Sequence, residues 1–432
     1  MSQGPGAYVS QHSRKDVWLG PAWGVRFAAQ RSRRAVPLAE ADGLLMSRIY
    51  FDHAATTSMV PEAVEAMTRE LTRVGNASSL HASGRSARRV VEESREAIAA
   101  QLGASPAELI FTSGGTESDN LAIKGAFWSR AEVGRRGLVT SAVEHHAVLD
   151  SVAWLEHSGA AEVGYVPVDP TGRVDLFALT GMVDTRTALV SVMWANNEVG
   201  TLQPVRQIAT IASEHGALSH SDAVQAVGHV ELDFAASGLD LLSFTAHKLG
   251  GPYGIGALLA RRDLRLAPIL HGGGQERDVR SGTLDVAATA GFAAALEVAA
   301  KKRAEEEERI NRLRTELVNS VLAAVPWAVV YGPTAKGDRL PGIANIGFPG
   351  CSADAILMLL DAARIDCATG AACSAGVSQP SHVLMAMGCS EADARSALRF
   401  SLGHSSTLAD IRRLAAALPE AVRRAKAAAA YT

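Results

Sequence analysis

From about residue 60 onward, stretches with apolar residues at helical spacing alternate with short runs rich in Val, Ile, Leu and Thr, each ending in small or polar residues. That rhythm predicts βα units laid on a mostly parallel sheet. The expected strands cover residues 109–112, 137–140, 188–193, 217–220, 241–245 and 255–260. In such sheets ligands gather at the carboxyl ends of the strands. The residues just past those ends are Ser113-Gly114-Gly115-Thr116-Glu117, Glu144-His145-His146, Asn196-Asn197-Glu198, Asp222 with Gln225, and His247-Lys248.

A long helix is expected next, with Ile310, Leu313, Leu317 and Val321 on one stripe and the charged run from Lys301 to Glu308 leading into it as a solvated face. Pro326 ends this helix, and the remaining chain reads as a smaller α/β unit, with a domain boundary expected near residue 305. Residues 1–46 differ from everything after them. Gly, Ser, Pro and Arg are scattered there without periodicity, and six basic residues stand against three acidic ones, which reads as a disordered extension. Asp16, Glu40 and Asp42, with no helical face, argue against a transit peptide. The patterned sequence begins at Arg48-Ile49-Tyr50-Phe51, just past Met46, which is a second candidate start.

Composition narrows the classes. A chain of 432 residues, 47% hydrophobic and 20% charged, has ample material for a buried core and a length suited to two or three domains. Forty-two Lys plus Arg against 45 Asp plus Glu leave a net charge of −3, too balanced for direct DNA binding. No stretch of 18 apolar residues occurs, because Thr289, Gly291 and Glu297 interrupt the best candidate at 286–300, so no membrane span is expected. Cys351, Cys367, Cys373 and Cys389 include no CxxC pair, which argues against a disulfide framework and against a zinc site. No metal is expected.

Three features carry chemistry. Ser113-Gly114-Gly115-Thr116 lies between a strand and a helix, so backbone N–H groups and the Thr hydroxyl can converge on a phosphate, although a glycine pair before a helix also serves as a simple tight turn. Asp222 past one strand and Lys248 past the next are the pair that pyridoxal 5′-phosphate (PLP) needs, a carboxylate for the ring nitrogen and an amine for a Schiff base; taken singly, they also read as a helix cap and a loop lysine. Cys373 sits in Ala368-Thr369-Gly370-Ala371-Ala372-Cys373-Ser374-Ala375-Gly376, a run of small residues unlike the setting of a core cysteine.

Taken in order, the motifs resemble those of the NifS/IscS-type cysteine desulfurases, fold type I PLP enzymes of the aspartate-aminotransferase superfamily. The resemblance runs from Tyr50-Phe51-Asp52-His53-Ala54-Ala55-Thr56-Thr57 through Ser113-Gly114-Gly115-Thr116-Glu117-Ser118-Asp119-Asn120, Glu144-His145, Asn196-Asn197-Glu198-Val199-Gly200 and His220-Ser221-Asp222-Ala223-Val224-Gln225. It continues through Thr245-Ala246-His247-Lys248, His271-Gly272-Gly273-Gly274-Gln275-Glu276, Arg280-Ser281-Gly282-Thr283 and Gly370-Ala371-Ala372-Cys373 to Arg399-Phe400-Ser401. It implies an α/β, aspartate-aminotransferase-like fold: a large PLP-binding domain (58–304) on a mostly parallel seven-stranded sheet, and a smaller domain formed by 47–57 and 305–432.

The resemblance also implies roles. Lys248 would carry the PLP Schiff base, Asp222 would pair with the ring nitrogen, and Gln225 and Asn197 would contact the phenolic oxygen. His145 would stack on the ring and move protons. Gly115, Thr116, Thr245 and His247 would hold the phosphate, joined by Thr283 of a second subunit in a homodimer, while Arg399, with Asn197, would bind the substrate carboxylate. Cys373 would take sulfur from L-cysteine as a persulfide, leaving L-alanine, and pass it to an acceptor such as an iron–sulfur scaffold protein, with tRNA thiolation a further destination. A cytoplasmic enzyme is expected. Selenocysteine lyases and aminotransferases share the scaffold and stand as the alternatives. Three departures from the family pattern are Thr369-Gly370-Ala371-Ala372 before Cys373, Tyr253 where a lysine is usual, and the extra Cys367, read as structural.

Overall fold

In the computed structural model, which describes residues 48–370 and 379–429, the leading run Ile49–Tyr50 forms a two-residue strand, β1. The expected extension at 1–46 and Cys373 lie outside the described residues. The β-branched and leucine-rich runs then become β2 (Leu109–Thr112), β3 (Gly137–Ser141), β4 (Glu162–Val166), β5 (Thr187–Ser191), β6 (Leu218–Asp222), β7 (Leu241–Thr245) and β8 (Gly256–Ala260). Their order in one seven-stranded sheet is β2-β8-β7-β6-β5-β3-β4. β8 is antiparallel to both of its neighbours, and the other pairings are parallel.

Every residue of β2, β5, β6, β7 and β8 is buried, because helices cover both faces of a parallel sheet and leave no strand face in water. β4 departs from that pattern and has no counterpart among the expected strands. It lies at one edge of the sheet with Glu162 and Tyr165 exposed, unlike β2 at the other edge, which is covered, so its sequence lacks the continuous apolar run that marks a buried strand.

The smaller unit holds a three-stranded antiparallel sheet of β9 (Val329–Tyr331), β10 (Ile343–Gly347) and β12 (Ala397–Ser401), ordered β12-β10-β9. β11 (Ile365–Asp366) pairs in parallel with β1. Ile49 and Phe51 thereby join Ile346, Phe348, Leu398 and Phe400 in a second hydrophobic core. The expected boundary near 305 falls inside a single 39-residue helix, Val286–Ala324. Phe292, Ala295 and Leu296 of its first half pack in the large-sheet core, whereas Ile310, Leu317 and Val321 pack in the second. The charged run between them spans the gap between two apolar stripes on one rod. No helix among the described residues is long and apolar enough to cross a membrane.

The segment 271–283 is fastened to the large sheet by a buried bidentate pair. Arg95 Nη2 donates to Glu276 Oε1 at 2.6 Å and Nη1 to Oε2 at 2.8 Å, while the Phe111 N–H donates to the same carboxylate at 2.9 Å. Removing one partner of such a pair strands a charge away from water. Arg95→Ala is therefore expected to destabilise the protein by about 3 to 5 kcal/mol. A shift of the urea unfolding midpoint, compared with Arg95→Met plus Glu276→Met, checks it, since the double replacement removes both charges.

Candidate active site

The carboxyl ends of β3, β5, β6 and β7 and the turn after β2 open onto one cavity of about 380 Å³. Its floor begins at that turn. Gly114 adopts φ 157° and ψ 179°, a conformation nearly confined to glycine, and a Cβ on Gly115 would come within 2.8 Å of Val224 Cγ2. The two glycines let the backbone dip beneath Val224 and start a helix at Gly115 whose first N–H groups have no partner within the helix. Gly115 and Thr116 line the cavity there. The start is braced from outside, because Glu117 accepts from the Ser113 N–H at 2.7 Å and from Arg280 Nε at 2.8 Å.

Lys248 reaches in from the turn after β7. Its Nζ donates to the carbonyls of Ala54, at 2.5 Å, and Ala55, at 2.8 Å. Burial, helped by the nearby Arg399 charge, lowers its pKa to about 8. Asp222, at the end of β6, is buried and accepts from the Val224 N–H at 2.8 Å. Burial pushes this carboxyl up from the usual range, while His145 and Lys248 pull it back. Gln225 Nε2 donates to the same Ala54 carbonyl at 2.8 Å. Asp222, Gln225 and Lys248 thus share one wall.

His145 caps the helix His146–His157, its Nδ1 accepting from the Ala147 N–H at 3.1 Å. Burial lowers the imidazole's pKa, opposed by Asp222. A neutral ring that accepts at Nδ1 carries its proton on Nε2. Arg399, on β12, is 6% exposed; its Nη2 donates to Asp52 at 2.8 Å and its Nη1 to the Asn197 carbonyl at 2.9 Å, while Nε has no hydrogen-bond partner among the described residues. Thr245 and His247 complete the wall beside Gly115. Thr245 Oγ1 donates to the Ile255 carbonyl at 3.0 Å. His247 Nδ1 lies 3.2 Å from Thr56 Oγ1, and its ring stacks on Tyr253, with centroids 5.7 Å apart.

Of the expected site residues, Gly115, Thr116, His145, Asn197, Asp222, Gln225, Thr245, His247, Lys248 and Arg399 all line this cavity. Thr283 does not; it is exposed and outside the lining. Cys373 lies outside the described residues, but Gly370 and His382, on either side of residues 371–378, are both in the wall. Cys367 is a packed thiol whose burial pushes it up to about 12. Asn196 holds backbone, accepting from the N–H groups of Glu198 and Val199 at 2.9 and 3.0 Å.

Sequence reasoning missed Asp52, Asp119, Glu144, Glu198 and His382 as site residues. Asp119 lines the cavity, is 1% exposed and has no hydrogen bond to Oδ1 among the described residues, with His220 Nε2 standing 3.7 Å from that oxygen; burial and the charge of Asp222 raise its pKa well above the ordinary value. Glu144 accepts from Ser141 Oγ at 2.5 Å and the Met193 N–H at 2.9 Å, and burial lifts its carboxyl to about 8. All five lie inside or beside recognisable motifs, except His382. What the chain could not display is which carboxylates the fold would enclose.

The donor set fits PLP. A buried amine, a buried carboxylate, a flat imidazole and a helix start for the phosphate surround a cavity of about 380 Å³. A second cavity of about 390 Å³ shares Ala54, Gln225 and Lys248 but has neither Arg399 nor the Gly115 helix start in its wall.

Residues 49–414 match the aminotransferase class-V family. An IscS-like cysteine desulfurase of Mycobacterium tuberculosis is 55% identical over 385 residues, 88% of this chain and 98% of its own. A cysteine desulfurase of Gluconacetobacter diazotrophicus is 44% identical, over 87% of this chain and 93% of its own. Among solved structures, a NifS-like protein superposes with a TM-score of 0.78 at 34% identity, covering 89% of this chain and all of that one.

A lysine pKa of about 8 has a measurable consequence. In the cofactor-free protein, modification of Lys248 by an amine reagent, followed by peptide mass mapping, is expected to rise through about pH 8 instead of near the ordinary 10.5. Arg399→Ala removes a depressing charge, so the midpoint should move upward.

Proposed function

The chain belongs to the class-V aminotransferases, and on that premise we propose that it is a PLP-dependent cysteine desulfurase, converting L-cysteine to L-alanine and leaving the sulfur as a persulfide on Cys373. The observation that carries this reading is the convergence of Lys248, Asp222 and Arg399 on one cavity that also includes Gly370, three residues before Cys373. The relatives favour it over a selenocysteine lyase or a plain aminotransferase.

When bound, PLP supplies an aldehyde that captures amines and a ring that draws electrons from the substrate Cα. The chain's own groups hold and protonate. Lys248, with its pKa near 8, is substantially neutral in mild alkali and takes the Cα proton. Asp222 would pair with the ring nitrogen, where its burial would favour a shared proton. Gly115, Thr116, Thr245 and His247 would hold the phosphate, and Gln225 and Asn197 would contact the phenolic oxygen. Arg399, oriented by Asp52 and the Asn197 carbonyl, receives the substrate carboxylate. His145 offers its Nε2 proton to the cavity.

Sulfur transfer balances without an outside oxidant. The Cys373 thiolate attacks the substrate sulfur, an S–S bond forms as the Cβ–S bond breaks, and the released electron pair stays with carbon. A proton then completes the methyl group of alanine, matching the one Cys373 gave up. Thr283, exposed and outside its own cavity, serves the phosphate of a second copy, so the working enzyme is a homodimer. The persulfide passes to an acceptor such as an iron–sulfur scaffold, in the cytoplasm.

Incubation with L-cysteine and dithiothreitol tests the reading. Sulfide and alanine are expected in equal amounts; PLP absorbance without alanine overturns it. Cys373→Ala should abolish both products while keeping the cofactor absorbance, and Lys248→Ala should lose that absorbance. Arg399→Lys, which cannot copy the bidentate fork, should raise KM for cysteine by roughly ten- to a hundredfold, the worth of a charge-assisted contact.

A further inference from the structure

We propose that Glu198 is a positioning residue for the sulfur-transfer step, its buried carboxylate bracing both flanks of the segment that carries Cys373 against the turn that orients Arg399. The proposal rests on the desulfurase reading. Glu198 is 2% exposed and lines the catalytic cavity. Its Oε2 accepts from Ser381 Oγ at 2.5 Å. The same oxygen lies against Gly370, where a Cβ would stand 3.1 Å from it and where φ is +83°. The Glu198 carboxylate therefore bonds Ser381 on one side of the stretch containing Cys373 and leaves no room for a side chain at Gly370 on the other.

The bonds on either side of Glu198 are fixed as well. Asn196 holds its N–H, and Asn196 Nδ2 donates to the Val143 carbonyl at 2.9 Å. Asn345 Nδ2 donates to the Glu198 carbonyl at 3.3 Å. The preceding residue, Asn197, offers its carbonyl to Arg399. Arg399 and Ala368 exchange backbone hydrogen bonds, at 2.7 and 3.2 Å, two residues before Gly370. On the far flank, Ser381 Oγ also accepts from the Leu384 N–H at 3.1 Å, and His382 Nε2 sits 2.9 Å from the Glu144 carbonyl. The turn that sets Arg399 thus also sets where the Cys373 segment leaves and re-enters the described fold.

Glu198 makes no ion pair among the described residues, so its carboxylate is not there to neutralise a buried cation. A carboxylate binds a hydroxyl more tightly than a neutral amide does, which suits a brace more than a spacer. The Glu198 carboxylate bonds Ser381, while the turn at 196–199 that carries Asn197 is held separately by the Asn196 side chain, so losing the carboxylate should leave cofactor capture intact.

Glu198→Ala and Glu198→Gln in the PLP-loaded protein test this, with Ser381→Ala as a milder variant that keeps the carboxylate. Three quantities are read: the cofactor absorbance and its change on adding L-cysteine, KM for cysteine, and the single-turnover rate of Cys373 persulfide formation, followed by cyanolysis. Glu198→Ala and Ser381→Ala are each expected to slow persulfide formation about tenfold, the scale of one charge-assisted hydrogen bond, with absorbance and KM unchanged. Combined, they should slow it by less than the product of the two single effects, because the hydrogen bond between Ser381 and Glu198 is lost in both, and Glu198→Gln should restore part of the rate. A persulfide rate within about twofold of the parent for Ser381→Ala and Glu198→Gln, or a loss of absorbance parallel to the loss of rate, overturns the proposal. Failure of the parent protein itself to form alanine and persulfide overturns the desulfurase reading instead.

Discussion

The nitrogen of Lys248 is held by two backbone carbonyls, those of Ala54 and Ala55, which lie 194 and 193 residues earlier in the chain. That short segment is the joint of the molecule. Phe51 at one end is rooted in the second core, the Ala54 N–H donates to Ser401 Oγ on β12 at 2.9 Å, and the Thr57 N–H donates to the His247 carbonyl at 3.1 Å. Gln225 uses the same Ala54 carbonyl. A small displacement of 54–57 would therefore disturb the amine, the amide beside it and the seam between the two sheets together. The depressed pKa of Lys248 follows from this enclosure, with the Arg399 charge adding to it and Asp52 and Asp222 opposing it only in part.

Beneath that joint the large sheet carries an unusual amount of polar matter for a parallel sheet. His220 on β6 is fully enclosed between Ser191 on β5, at 2.8 Å, and Ser243 on β7, at 2.9 Å, and burial drops its pKa to about 3. Asp119, Glu144 and Asp222 cluster near it, each with its carboxyl pushed upward by burial. Close, buried carboxylates cannot all be charged. Burial pushes Asp119 and Glu144 up with only hydrogen bonds opposing it, whereas the upward push on Asp222 is opposed by the charges of His145 and Lys248.

The buried Arg95 and Glu276 pair and the Arg280 to Glu117 contact serve the opposite edge of the site. They fasten the 271–283 stretch to β2 and to the helix start at Gly115. The exposed Thr283 ends this anchored stretch, so its position is set by the same sheet that shapes the Gly115 end of its own cavity.

Much of this was legible in the chain itself. Runs such as Leu-Ile-Phe-Thr at 109–112 and Leu-Leu-Ser-Phe-Thr at 241–245 read as buried strands because both faces of a parallel strand are covered and periodicity needs no partner to be seen. The same reading placed Gly115, Asp222 and Lys248 past strand ends, where a parallel sheet collects its ligands. It missed β4, an edge strand that stands partly in water, and it did not carry the long helix back through its charged run to residue 286, because solvated residues interrupt the apolar pattern there. Pattern and residue type were therefore enough for the sheet, the helix start and the amine and carboxylate pair. The tertiary structure alone decided that Ala54 would hold Lys248, that Asp52 would orient Arg399, and that Glu198 would meet both Gly370 and Ser381. Those contacts join residues from about 170 to 350 positions apart, and the burial that shifts a pKa or strands a carboxylate oxygen exists only once the chain has closed around it.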